Sequence, residues 1–164
     1  MKKAWFLLVM LLLTFSCNDD GINPDDVIIF GGITERDEFG VVKSIDSTDW
    51  QLMDEWNDKE EALFDEAFEY NCNNAAFDYS VITYPNPCQD MVTLRISKPG
   101  DARFSFCIVD EDYNVLFSRD TMNTNSIFLN LENFSLPGDT VRVYYKFFKQ
   151  DCELKGHGDV AINL

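Results

Sequence analysis

Apolar and polar side chains alternate through most of the second half of the chain. Val92, Leu94 and Ile96 share one face of Met91–Ser97, and Phe104, Phe106 and Ile108 share one face of Ala102–Val109. Ile127, Leu129 and Leu131 repeat the pattern, and Val141, Val143, Tyr145 and Phe147 extend it along Thr140–Lys149. A period of two marks strands with one face buried. Phe77–Tyr84, Asn114–Ser118 and Asp159–Asn163 complete a set of seven candidate strands. Pro85-Asn86-Pro87, Pro99-Gly100-Asp101, Asp110–Tyr113 and Pro137-Gly138-Asp139 separate them, since proline cannot donate to a ladder and glycine and aspartate suit turns. Seven short strands at roughly ten-residue spacing predict an antiparallel sandwich over 77–164.

The first half reads differently. Val27–Phe30 and Val41–Ile45 are short apolar runs flanking a charged loop, which predicts strand, loop and strand. Helix signals follow. Thr48 with Gln51 matches a capping box, and Asp58 with Glu61 is a looser version. Leu52, Met53 and Trp56 would share one helical face, and Leu63, Phe64, Ala67 and Phe68 a second stripe, with Glu60, Glu61, Asp65, Glu66 and Glu69 opposite. Residues 27–76 are therefore expected to hold short strands and an amphipathic α-helical segment. That stripe would cover Tyr144, Phe148 and Phe128, which lie on the face opposite the core; a protein- or sugar-binding platform is the sharper alternative.

The start of the chain bears on where the domain resides. Lys2 and Lys3 precede the apolar run Ala4–Leu13, which is too short to span a hydrocarbon core as a helix and reads as a signal peptide. Cys17 directly after the small Ser16 is what lipoprotein processing needs: the thiol takes a diacylglycerol, the chain is cut before it, and the new amine is acylated. Residues 1–16 are thus expected to be a lipoprotein signal peptide, and 17–26 an acidic tether that reaches about 30 Å when extended. Two or more acyl chains make such attachment stable, at about 0.8 kcal/mol per buried CH₂. The other reading is ordinary cleavage near Ser16, which leaves Cys17 a free or bridged thiol.

Charge narrows the partners. The chain carries a formal net charge of −16, and loss of Lys2 and Lys3 with residues 1–16 would take it to −18. Nucleic acid and anionic lipid both select for basic patches, so neither is expected as a partner, and the membrane contact falls to the lipid on Cys17. An aromatic fraction of 14% is too high for a disordered chain and calls for a packed core. Besides Cys17, Cys72, Cys88, Cys107 and Cys152 permit two disulfides in an exported protein, with three connectivities; buried free thiols are the alternative. None of the spacings suits a zinc site.

Candidate chemistry is sparse. The single histidine, His157, lies between two glycines and precedes Asp159 by two positions. It could be half of a dyad or a metal ligand, but a turn leading into the last strand is the expected role. Asp110, Asp112 and Asn114 share the first offsets of a calcium loop without its glycine or closing glutamate, so an acidic β-turn is expected. No nucleophile elbow, Walker loop or HExxH pattern occurs. The expectation is no enzyme, no cofactor and no metal.

Two resemblances add to this reading. Cys17-Asn18-Asp19-Asp20 resembles the start of Bacteroidetes-type lipoproteins, in which a cysteine followed by acidic residues accompanies export to the outer face of the outer membrane. From Val81 onward the chain resembles the C-terminal sorting domains of the type IX secretion system. Tyr84-Pro85-Asn86-Pro87, the short strand Val92–Ile96, the strand–turn–strand of Phe106–Phe117 and Leu136-Pro137-Gly138 before Val141–Phe147 carry that likeness. It implies a seven-stranded antiparallel immunoglobulin-like β-sandwich, so the fold class expected is mainly β with an amphipathic α-helical segment ahead of the sandwich. Those sorting domains follow an ordinary signal and close in basic residues, unlike Cys17 and Val160–Leu164 here. The half-chain is therefore expected to serve as a structural or adhesive module. Similarity to Bacteroidetes-type exported proteins also implies O-glycans at Ser47, Thr121 and Thr140, each after an aspartate. The function expected is a non-enzymatic outer-membrane surface lipoprotein binding a protein or glycan. The alternative is a periplasm-facing structural subunit of an envelope or secretion assembly.

Overall fold

A computed structural model describes residues 27–53, 55–65, 70–71, 79–136, 138–149 and 152–163, with the backbone alone at Tyr70, Asn71 and Cys152. The fold is mainly β, with antiparallel sheets. A two-stranded ribbon comes first, β1 (Glu35–Arg36) and β2 (Val42–Ser44). Between them Gly40 adopts φ +81°, and the Asp37 carboxylate accepts from the N–H groups of Phe39 and Val41. Next come β3 (Gln51–Met53), one helical turn α1 (Asp58–Glu61) and β4 (Tyr70–Asn71). The remaining strands are β5 (Ser80–Tyr84), β6 (Met91–Ser97), β7 (Arg103–Val109), β8 (Val115–Met122), β9 (Ser126–Asn130), β10 (Thr140–Lys149) and β11 (Cys152–Ala161).

The large sheet runs β3-β11-β10-β7-β8, with β4 added in parallel to β11, and the small sheet runs β5-β6-β9. Both contribute to one core. Val141, Val143, Tyr145 and Phe147 point into it from β10, and Phe104, Phe106 and Ile108 from β7. Val81, Val92, Leu94, Ile96 and Leu129 meet them from the small sheet. Register places Phe104 opposite Phe147 and Phe106 opposite Tyr145, so large rings pair across strands; Phe104 and Phe147 lie 5.2 Å apart.

The central part of β10 is buried on both faces. Its outer face carries Tyr144, which clusters with Ile28, Cys107 and Val109. Trp56, Leu63, Phe64, Phe30 and Tyr113 close over that cluster, so Leu63 and Phe64 do cover Tyr144. Phe128 is different: it sits on the small sheet, 73% exposed, with nothing over it among the described residues. Phe128→Ser is expected to change the unfolding free energy by less than about 0.5 kcal/mol in urea denaturation, as exposed positions do.

Several expectations need correction. The amphipathic helix is not seen among the described residues beyond the single turn α1; Ala67 and Phe68 lie outside them. Its capping box is formed by Asn57 and Glu60, one residue earlier than Asp58 and Glu61. Gln51–Met53 forms a strand because β11 offers an edge there. Thr48 is held in a turn by the Asp46 carboxylate, and Trp50 takes φ 58°. Glycines on β11 admit that strand: a Cβ on Gly156 would collide with the Gln51 carbonyl and the Tyr145 hydroxyl, and one on Gly158 with the Trp50 indole. The final strand is ten residues long, so His157 and its flanking glycines lie inside a strand and not in a turn. Val27–Phe30 forms no strand; Ile28 and Phe30 instead pack on the outer face of the large sheet.

Candidate functional site

The outer face of the large sheet carries a row of polar side chains where β11 and β10 meet the N-terminal segment. Strand register sets the row: His157 lies opposite Tyr144 on one side and Gln51 on the other, and Asp159 lies opposite Arg142. Spacing by two puts His157 and Asp159 on the same face of β11. Arg142 donates from Nε to Asp159 Oδ1 at 2.7 Å and from Nη2 to Oδ2 at 2.8 Å. Its Nη2 also donates to the Ile29 carbonyl at 3.2 Å, and its guanidinium lies 5.7 Å from the Phe30 ring centre. Burial opposes the charge on Arg142, yet the bidentate pair with Asp159 holds its pKa above the usual range.

Asp49, just ahead of β3, ties three segments together. Its carboxylate accepts from Thr34 N at 2.7 Å and from Asp159 N at 2.8 Å. Burial raises its pKa, against the lowering effect of those two amides. Tyr144 donates to Glu60 Oε1 at 2.8 Å, so the turn α1 is bound to the sheet by its capping glutamate. Between Ile29–Gly32 and β3, Asp49, Arg142, His157 and Asp159 border a cleft of about 490 Å³, lined also by Ser47, Thr48 and Met53.

Two further networks fix the frame. Asn86, fully buried between the cis prolines Pro85 and Pro87, donates to Thr34 O and Asp159 O and accepts from Ala161 N. Its own backbone N–H and C=O pair with Arg36. On the other flank Lys146 is fully buried, 3.2 Å from Glu61 and 3.5 Å from Glu153, beneath the rings of Trp56 and Phe64. Lys155 also pairs with Glu61. Glu60 and Glu61 therefore turn toward the sheet, whereas the helical reading put them on its solvent side. One turn of helix cannot separate two faces.

Sequence-predicted sites fare unevenly. Cys17 and Cys72 lie outside the described residues, as does the side chain of Cys152. Cys88 and Cys107 are free and buried, one in the main core and the other in the outer cluster, so the sheet lies between them. Burial pushes their thiols up to about 11 and about 12, leaving both protonated and unreactive. Ser47 and Thr121 are exposed; Thr140 is half-buried and donates to Asp139. Asp110 accepts from the N–H groups of Asp112 and Asn114 and from Asn114 Nδ2, which makes an acidic turn. Among the described residues no three His, Cys, Asp or Glu side chains converge as a metal-binding group.

Asp49, Arg142 and Asn86 escaped the sequence reading. The signals were slight: a charge on the outward face of the most apolar strand, and an amide between two prolines. His157 does not pair with Asp159, whose oxygens go to Arg142, and its Nδ1 is buried without a partner among the described residues. Burial lowers the His157 pKa below 6.5, and the nearby Arg142 adds to the effect. A depressed histidine binds fewer protons folded than unfolded, so its contribution is intact above about pH 6.5 and is lost as pH falls through the folded value. Melting temperature is expected to drop between pH 7.5 and 5.5, with a shallower drop for His157→Gln. Equal slopes would show that another group sets the dependence.

No helix among the described residues is long and apolar enough to cross a membrane. Comparison with family models, curated proteins and solved structures finds no match to this chain.

Proposed function

We propose that this protein is a non-enzymatic outer-membrane lipoprotein, anchored through acylated Cys17 and displayed on the cell surface, where its β-domain binds a protein or glycan. One observation carries the binding reading over a catalytic one. The charged groups around the cleft are spent on holding segments together: Asp159 and Arg142 on each other, and Asp49 on two backbone amides. An open cleft bordered by committed charges suits recognition, where rigid groups lose little freedom on binding.

The reading includes an immunoglobulin-like sandwich. Its support is the division of β5 to β11, seven strands, into β5-β6-β9 and β11-β10-β7-β8. A strongly acidic surface and the Cys17-Asn18-Asp19-Asp20 start support display away from anionic lipid. The second reading is a periplasm-facing structural subunit of an envelope or secretion assembly, favoured by the Tyr84-Pro85-Asn86-Pro87 likeness to sorting domains. Protease treatment of intact cells separates the two. Surface display predicts cleavage without lysis; complete protection, with cleavage only after lysis, would favour the second.

A further inference from the structure

We infer that the cleft between Ile29–Gly32 and β3 is a binding site for a neutral saccharide of one or two rings. This rests on the adhesive reading above and names the ligand class. Size comes first: about 490 Å³ falls within the range of small-molecule sites. Charge selects next. Arg142 is matched by Asp159 through two hydrogen bonds, and Asp49 by two backbone amides. An anionic ligand would have to displace Asp159 from Arg142 and would approach a chain of net charge −16. A cationic ligand would have to compete with Arg142 for Asp159, or reach Asp49, which is only 6% exposed and turns its oxygens to the Thr34 and Asp159 amides. Neither exchange leaves every buried charge paired, which makes both costly.

What remains suits a polyol. Gln51 and Ser47 are exposed at the rim and offer an amide and a hydroxyl, groups that both donate and accept. Ile29, 76% exposed, and the half-buried Met53 provide apolar contact for the C–H faces of a sugar ring. One wall is bare backbone at Gly31, where an added Cβ would meet nothing within 4 Å and the chain needs no positive φ. A side chain introduced there would find open space at the cleft wall without straining the fold.

The test uses the full chain in lauryldimethylamine oxide, a detergent without a sugar headgroup, and saturation-transfer NMR. The probes are maltose, cellobiose, lactose and N,N′-diacetylchitobiose, with glucosamine and glucuronate as charged comparators. Binding of at least one neutral disaccharide is expected, weakened about ten-fold or more by Gly31→Phe and several-fold by Gln51→Ala, with melting temperatures unchanged. Ser47→Trp blocks the same rim and serves if Gly31→Phe proves unstable. Binding that persists in the blocked variants, or that is confined to the charged comparators, would overturn the assignment. Absence of binding by all four disaccharides would also overturn it, while leaving display and a protein partner untouched, since protease accessibility reads those separately.

Discussion

Arg142→Ala is expected to lower the unfolding free energy by about 3–5 kcal/mol, measured as a shift of the urea midpoint at pH 7, because it leaves a buried carboxylate without its partner. The Asp159 side chain is only 4% exposed, and both its oxygens are engaged by Arg142. For a domain of ordinary stability, about 5–15 kcal/mol, that loss is a large share. Replacing both partners in Arg142→Leu/Asp159→Leu should recover much of it, since no charge is then stranded. A single-variant loss below about 1 kcal/mol would mean that water reaches the pair and that Arg142 does not hold Ile29 and β11 together.

The second large effect is expected at Asn86. Its side chain satisfies Thr34 O, Asp159 O and Ala161 N, three backbone groups from two segments. Asn86→Ala strands all three in a buried site, and each orphaned group costs about 1–3 kcal/mol, so a loss of about 3 kcal/mol or more is expected. Hydrogen exchange should locate the damage. Faster exchange is predicted at Ala161 and Arg36, whose amides bond to Asn86, with little change in the interior of β7. Uniform acceleration across the domain would indicate that Asn86 supports the whole core rather than the junction between the N-terminal segment and β11.

These two residues also show where sequence reading runs out. The alternation of Val141, Val143, Tyr145 and Phe147 assigns their faces correctly, because a period of two has one physical meaning when one side is buried. Met91–Ser97 and Thr140–Lys149 match the strands seen. The N-terminal half misleads because Leu52, Met53 and Trp56 fit a helical stripe by spacing alone. Their real environment is set from a hundred residues away, where Gly156 and Gly158 leave room for β3 and the Trp50 indole. The same glycines make His157 look like a turn residue, although a glycine in a strand can equally mark the close approach of a neighbour. Asn86 reads as a strand terminator between prolines; its three bonds depend on partners 52 to 75 positions away, which no local pattern encodes. Nor could the cleft be foreseen, since its walls come from 29–32, 47–53 and two C-terminal strands.

The protein's proposed role begins with the lipid on Cys17, and detergent-phase partition of the native protein and of Cys17→Ser tests it most directly. The account predicts that native protein enters the detergent phase with an intact mass beginning at an acylated Cys17, and that Cys17→Ser stays in the aqueous phase with its domain folded. Retention of Cys17→Ser in the membrane fraction, or a native mass without acyl chains, would contradict it.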